Sequence, residues 1–415
     1  MDICIACKVF CNMKKLVSIY DIYLGLPKST MKLLPLVISE HFIIAFCLNI
    51  AAFFKKIEHL NYGLIGEFVS FYYWGCLFGV VIGGTLTLYM RTTKITGYGL
   101  LLLCMCLYQL LHSTNLIVTG IDMFALGCLG AIVSASNITS LIRSVNKNES
   151  IRLKVISFEL VLFNLCYSIV TFVLLDLGRN YILYALNVLL CLFVMVGTGA
   201  IVFYKDSVYS APEISTSSMK FLLPENKKES FILMSMIFCF GLIFSMVKVV
   251  FNPTLIDRFG SNMLSVTAAS VNPWVLCIFQ PLLINYIKNT NSVMFLGFGG
   301  FLVGFCYFVF GLVNSFSLNI CMLVLLTFGE MMFSPLSKHY MIRLYKVGQE
   351  GIASSVWRIV FLGSGIVGSE VSGVIASHSG SLLVWKACAF LGLICFMISL
   401  LLRKMKNQNR QILMA

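Results

Sequence analysis

Twelve long apolar stretches recur along the chain, over residues 33–54, 66–90, 97–117, 119–143, 152–175, 180–203, 230–251, 263–287, 292–313, 316–342, 352–377 and 381–402. About 20 helical residues cross a bilayer core of about 30 Å, so each stretch is long enough to be a transmembrane helix. The breaks between them are mostly short and carry the Gly, Asn, Lys and Asp expected of turns. Residues 204–229 differ: they are polar and contain Pro212, Pro224, the cluster Ser215 to Ser218, and Lys227-Lys228. The pattern therefore predicts an all-α membrane protein of two six-helix bundles, 31–203 and 230–402. A linker over 204–229 joins them, and tails over 1–30 and 403–415 flank them.

Composition agrees with this layout and excludes a water-soluble globule. Hydrophobic residues make up 59% of the 415 positions and charged residues 11%, against roughly 45–50% and about 25% in soluble domains. The net charge of +13 resolves by position. With a cytoplasmic N-terminus, 23 Lys and Arg fall on the inside and four on the outside (Lys55, Lys56, Arg179, Arg258), while Lys248, Arg358 and Lys386 fall within spans. Basic loops resist translocation, so both termini and the central linker are expected in the cytoplasm, in a multi-pass cell (inner) membrane protein. No basic stripe interleaved with stacking aromatics marks a nucleic-acid site. The N-terminal stretch lacks the pattern of a cleaved signal peptide, and Met1, Met13 and Met31 are each a candidate start. Most of the sixteen cysteines stand singly in apolar runs and read as small hydrophobes, and Cys4, Cys7 and Cys11 lack the fourth ligand of a zinc site.

An ionisable side chain within a span costs at least ~2.5–3.5 kcal/mol to insert, so each one faces a partner, a cavity or the bundle interior. These are Glu40, His41, Glu159, Lys248, Glu330, Arg358, Glu370 and Lys386. Glu67 and Asp122 lie near predicted helix ends, where interfacial solvation accounts for them; Glu370 and Lys386 have the same reading or form a structural pair. Glu330 is the foremost candidate. Ser334 follows one turn later, and Pro335 cannot donate to the carbonyl of Met331, which weakens the helix beside the charge. Its structural alternative is an ion pair with Lys248 or Arg358. Glu40 and His41 project about 100° apart and serve different spots; Glu40 is the better proton carrier and His41 the better packing residue, though a histidine also titrates near neutrality. Lys248 and Arg358, the latter beside Trp357, need a partner from another helix or from an anionic substrate group. The glycines Gly83, Gly84, Gly127, Gly130, Gly363, Gly365 and Gly368 read as close-packing positions. No histidine or glycine motif of a metalloenzyme or nucleotide-binding enzyme is present.

Two six-helix halves joined by a cytoplasmic linker resemble the major facilitator superfamily, and several motifs are similar to its proton-dependent oligopeptide transporter (POT) family. Gly83-Gly84-Thr85-Leu86, Arg91 to Lys94, Gly97 and Gly99 resemble that family's turn after the second helix, with Leu88 in place of its Asp. Ser136-Asn137-Ile138-Thr139-Ser140-Leu141 resembles the Pro-Asn-Ile-Ser-Ser-Leu of the fourth helix, and Asn164 falls where the fifth carries Asn. Val271-Asn272-Pro273-Trp274 with Pro281 resembles the eighth helix; Glu330, Ser334 and Pro335 match the tenth, and Gly351 with Trp357 the eleventh. The resemblance covers about 300 residues in order. It departs at the first-helix motif, represented by Val37, Glu40, His41 and Phe42 with Ile44 and Ala45 in the tyrosine region, and at Ala135, where the family has Lys. In the family those basic groups hold a peptide's carboxylate and the tenth-helix Glu meets its ammonium.

The resemblance implies a secondary carrier, not an enzyme, which couples small peptides or related amphoteric metabolites to protons by alternating access. It implies no cofactor beyond the proton and predicts a monomer in the bilayer. The candidate site is Glu40, His41, Asn137, Asn164, Lys248, Asn272, Glu330, Ser334, Trp357 and Arg358, with Pro273, Pro281 and Pro335 as gating kinks. The altered first-helix motif leaves two alternatives open: a facilitator for organic anions or drugs, or a receptor or scaffold that has kept the fold without transport.

Overall fold

The computed structural model describes residues 28–144, 149–204, 224, 226–260, 263–287, 293–345 and 350–414. Cys4, Cys7, Cys11, Met13, Lys147, Lys288, Lys346 and nearly all of the central linker lie outside the described residues, as do the side chains of Pro281, Arg143 and Arg179.

The described chain is helical throughout. The helices are α1 (Lys28–Leu48), α2 (Ile50–Lys56), α3 (Tyr62–Tyr89), α4 (Thr92–His112), α5 (Leu116–Ser144), α6 (Glu149–Asp176) and α7 (Arg179–Phe203). After the linker follow α8 (Lys227–Phe259), α9 (Met263–Ile287), α10 (Val293–Leu312), α11 (Phe316–Arg343), α12 (Glu350–Ser379) and α13 (Ser381–Met414). Eleven are long and apolar enough to cross a membrane, and α9 adds a described apolar run over Leu264–Gln280.

The ends are set by identifiable groups. Asn61 caps α3, its side chain accepting from Leu64 N at 2.9 Å. Asn226 caps α8 reciprocally with Glu229, accepting from its backbone N–H at 3.2 Å and donating to its carboxylate at 3.1 Å. Lys56 Nζ donates to the carbonyls of Leu174, Leu175 and Leu177 at the end of α6.

One predicted span is not a single helix. The stretch 33–54 breaks at Asn49, whose side chain donates back to Ala45 O at 2.9 Å alongside its own backbone N–H at 3.1 Å. The third span also shifts toward the N-terminus, from 97–117 to Thr92–His112.

In the first part of the chain α3 packs on α5, α5 on α4, α4 on α7, and α1 on α5 and α6. In the second, α10 packs on α11 and α13, and α8 on α12 and α13. Between the parts, α12 lies on α3 and α9 on α6. The α3–α5 seam depends on glycine: a Cβ on Gly75 would stand 2.0 Å from Phe124 O, and one on Gly127 would stand 2.1 Å from Tyr72 O. Gly84 and Gly363, expected at such contacts, face open space.

Several polar contacts join the two parts at one end. Tyr62 donates to Asp257 at 3.0 Å, Lys55 stands 3.8 Å from Asp257, and Asn252 donates to Asn49 Oδ1 at 2.9 Å. A Cβ on Gly66 would meet Gly373 Cα at 2.7 Å. Among the described residues α5 and α6 share no packed face with α11 or α12.

Candidate functional site

Two polar constellations interrupt the apolar interior. The first centres on α1. Glu40, 1% exposed, accepts a hydrogen bond from Asn137 Nδ2 of α5. Asn137 Oδ1 in turn accepts from Thr96 of α4 at 2.9 Å, and Thr96 also donates to Ser136 Oγ at 3.2 Å. The other Glu40 oxygen has no partner among the described residues. His41 points elsewhere, as one helical step requires. It is not enclosed by apolar groups alone, because its Nε2 stands 3.3 Å from Glu159 Oε1 on α6. Phe163, one turn beyond Glu159, meets the imidazole edge-on at 5.5 Å.

The second constellation lies between α6, α8, α9 and α11. Glu330, 8% exposed, accepts from Asn272 Nδ2 at 2.9 Å, and its other oxygen is buried without a partner among the described residues. Lys248 acts on it electrostatically. The Lys248 ammonium itself donates to Tyr167 OH at 2.8 Å and lies over the rings of Tyr167 and Phe244, at 4.5 and 5.0 Å from their centroids.

The alternative ion pair of Glu330 with Lys248 or Arg358 is not made: no such contact falls within 4 Å among the described residues. Arg358 is half-buried and finds no carboxylate there. Its neighbour Trp357 donates to Ser337 Oγ at 3.0 Å and stacks on Phe361 at 5.2 Å, tying α12 to α11. Asn164 is buried, and its amide donates to Leu160 O of its own helix at 2.9 Å. Ser334 is exposed, and α9 and α11 run helical through Pro273, Pro281 and Pro335. Asp122, expected to be solvated, lies on α5 and is 4% exposed. Glu67, Glu370 and Lys386 are exposed.

Sequence reasoning missed Asn49, Thr96, Tyr167, Asn252 and Lys338. Tyr and Thr are common in apolar helices and carry no charge signal. Lys338 has one: it follows Ser334 by four residues and Glu330 by eight, and so shares their side of α11.

The path of the backbone matches solved transporters. A POT family transporter solved with 5-aminolevulinic acid superposes with a TM-score of 0.75 over 93% of this chain and 97% of its own, at 14% identity. A mutant of the nucleoside transporter NupG gives 0.74 over 90% and 100%, at 12% identity. A mutant of the peptide transporter POT solved with sulfate gives 0.70 over 92% and 96%, at 13% identity. This is a transporter fold. These neighbours are membrane transporters rather than enzymes, and the chain, with its many apolar helices, is a multi-pass membrane protein. No protein-family model and no curated protein sequence matches it.

Proposed function

We propose that the chain is a divergent POT-type member of the major facilitator superfamily, moving small peptides or related amphoteric metabolites together with protons by alternating access. In this reading α1 and α2 together make the first of twelve spans, α9 is the eighth, two six-helix bundles rock about a central site, and both termini are cytoplasmic. The single observation that carries it is Glu330. Its carboxylate is buried, anchored by Asn272 through one oxygen, and leaves the other without a partner among the described residues. Such a group is suited to meet a substrate ammonium or to take up a proton, while Lys248, held by Tyr167, offers a cation in the same region for a carboxylate. Glu40, anchored by Asn137, is the corresponding candidate in the first half.

A carrier of another specificity, for organic anions or drugs, is the second reading. Val37, Ile44, Ala45 and Ala135 favour it, because they stand where the family has its peptide-holding residues. Uptake of labelled di- and tripeptides into proteoliposomes under an inward proton gradient separates the two. Accumulation is expected, abolished by a protonophore and cut about tenfold or more by Glu330→Gln, the loss of a charge-assisted bond. Anion or drug flux without peptide flux selects the second reading. A sealed protein that moves neither removes transport altogether.

A further inference from the structure

The cations at one end of α13 have no task in that scheme. α10 and α13 run antiparallel along a seam of small residues. A Cβ on Gly304 would stand 2.9 Å from Gly392 Cα, one on Gly300 2.9 Å from Cys395 Cβ, and one on Gly297 2.0 Å from Ser399 Oγ. The same register brings Arg403 to Met294 at the start of α10, with Nη1 2.6 Å from Sδ. α8 is antiparallel to α13 as well. Cys395 Sγ donates to Met236 O at 3.8 Å, and toward the opposite end the Phe310 ring touches both Phe251 of α8 and Trp385 of α13, at 5.2 and 5.3 Å. Lys228 lies eight residues before Met236 and Arg403 eight after Cys395, so each stands about 12 Å along its helix from that contact, on the same side of it. Lys227, Lys228, Arg403 and Lys404 therefore share one end of two neighbouring helices.

All four are exposed, and none makes an ion pair among the described residues. The carboxylate nearest in sequence, Glu229, is taken by Asn226 and Tyr340. Met294 is a weak acceptor and leaves the charge of Arg403 uncompensated. From Arg403 to Ala415 the sequence adds Lys406 and Arg410 and contains no Asp or Glu. Next to the cations the surface is apolar. Phe231, 68% exposed, follows Lys227 by one turn, and the exposed residues Leu393, Met397 and Leu400 recur at helical spacing on α13 and lead to Lys404. From Ser381 to Arg403, α13 covers about 33 Å, close to the thickness of a bilayer's hydrocarbon core. The cations thus stand where hydrocarbon gives way to headgroups, at the end of a stripe that faces lipid.

We propose that Lys227, Lys228, Arg403 and Lys404 bind the phosphate of an anionic phospholipid, whose acyl chain lies along the Leu393–Met397–Leu400 stripe of α13. Arg403 offers a planar fork to the phosphate oxygens and the lysines offer point charges. A zwitterionic headgroup brings its own ammonium and cancels most of this attraction, whereas a net-negative one keeps it. A soluble anion makes no use of the apolar stripe. The bound lipid joins the first turn of α8 to the last apolar turn of α13 and neutralises the charge that both helices present at the bilayer edge. The site is independent of what the chain carries.

The test uses the full chain in a neutral detergent, titrated with fluorescent phosphatidylglycerol or with phosphatidylcholine of the same acyl length. Phosphatidylglycerol is expected to bind about tenfold or more tightly, and less so as salt is raised. Lys228→Gln and Lys404→Gln should each weaken it about fivefold, and Gln at all four positions about a hundredfold or more, following the attraction of each basic residue to anionic lipid. Lys404→Arg should retain binding. Lys386→Gln removes an exposed cation at the opposite end of α13 and should change nothing. Met397→Asn should weaken binding with every charge in place. The four cations are exposed, so the single variants remain informative even where the combined one fails to fold. Equal affinity for the two lipids, or a loss in Lys386→Gln as large as that in Lys404→Gln, overturns the site. Displacement of the lipid by inorganic phosphate at an equal concentration also overturns it, in favour of a site for soluble anions.

Discussion

Glu40 and Glu330 share one arrangement, a buried carboxylate held by a single asparagine from a neighbouring helix, Asn137 in one case and Asn272 in the other. Removing the amide strands a polar group where water does not reach, which costs about 1–3 kcal/mol. Asn272→Leu is therefore expected to lower unfolding stability by that amount in detergent, and Glu330→Gln added to it should restore part of the loss, as a thermal melt of the three variants would show. Both carboxylates were legible in the sequence because they interrupt apolar runs, and both asparagines through the motifs that resemble the family. Their supporting residues were not. Thr96 and Tyr167 look ordinary in a hydrophobic helix, and only the fold brings them to Asn137 and Lys248. Lys338 was counted with the loop cations, although it lies inside α11.

At the scale of helices, hydropathy located the spans well and their ends less well, since bilayer-length apolar runs carry no sharp stop signal. The break at Asn49 escaped because neither Pro nor Gly marks it. A lone asparagine between Leu48 and Ile50 stands at the break, bonded to Ala45 O, to Thr171 of α6 and to Asn252 of α8. The glycines behaved unevenly: those of the α3–α5 seam touch backbone, while Gly84 and Gly363 touch nothing within 4 Å. Gly75→Leu is accordingly expected to destabilise the protein by about 1–3 kcal/mol through overpacking. Gly363→Ala should be close to neutral in the same melting assay.

Taken whole, the two parts of the molecule are fastened to each other by a polar cluster at one end. The fastening uses Tyr62, Lys55 and Asp257 near the surface and Asn49 with Asn252 beneath them. Asp257 is half-exposed, so its contacts are individually weak. Asp257→Ala should raise hydrogen exchange over Ile50–Lys56 by up to about fivefold without unfolding the protein, the opening expected from losing a surface ion pair. The transporter fold was legible from the twelve-stretch pattern and the order of the motifs, whereas the contacts that fasten the two parts join distant segments and were not. The bend at Asn49 has a further consequence for how the protein is made. Its partner Asn252 lies 203 residues later, and Leu174 to Leu177, which Lys56 grips, about 120 residues later. At about 5–20 residues per second, the ribosome delivers Asn252 roughly 10–40 s after Asn49. The bond between Asn49 and Asn252 therefore forms only after α1 to α7 have been made.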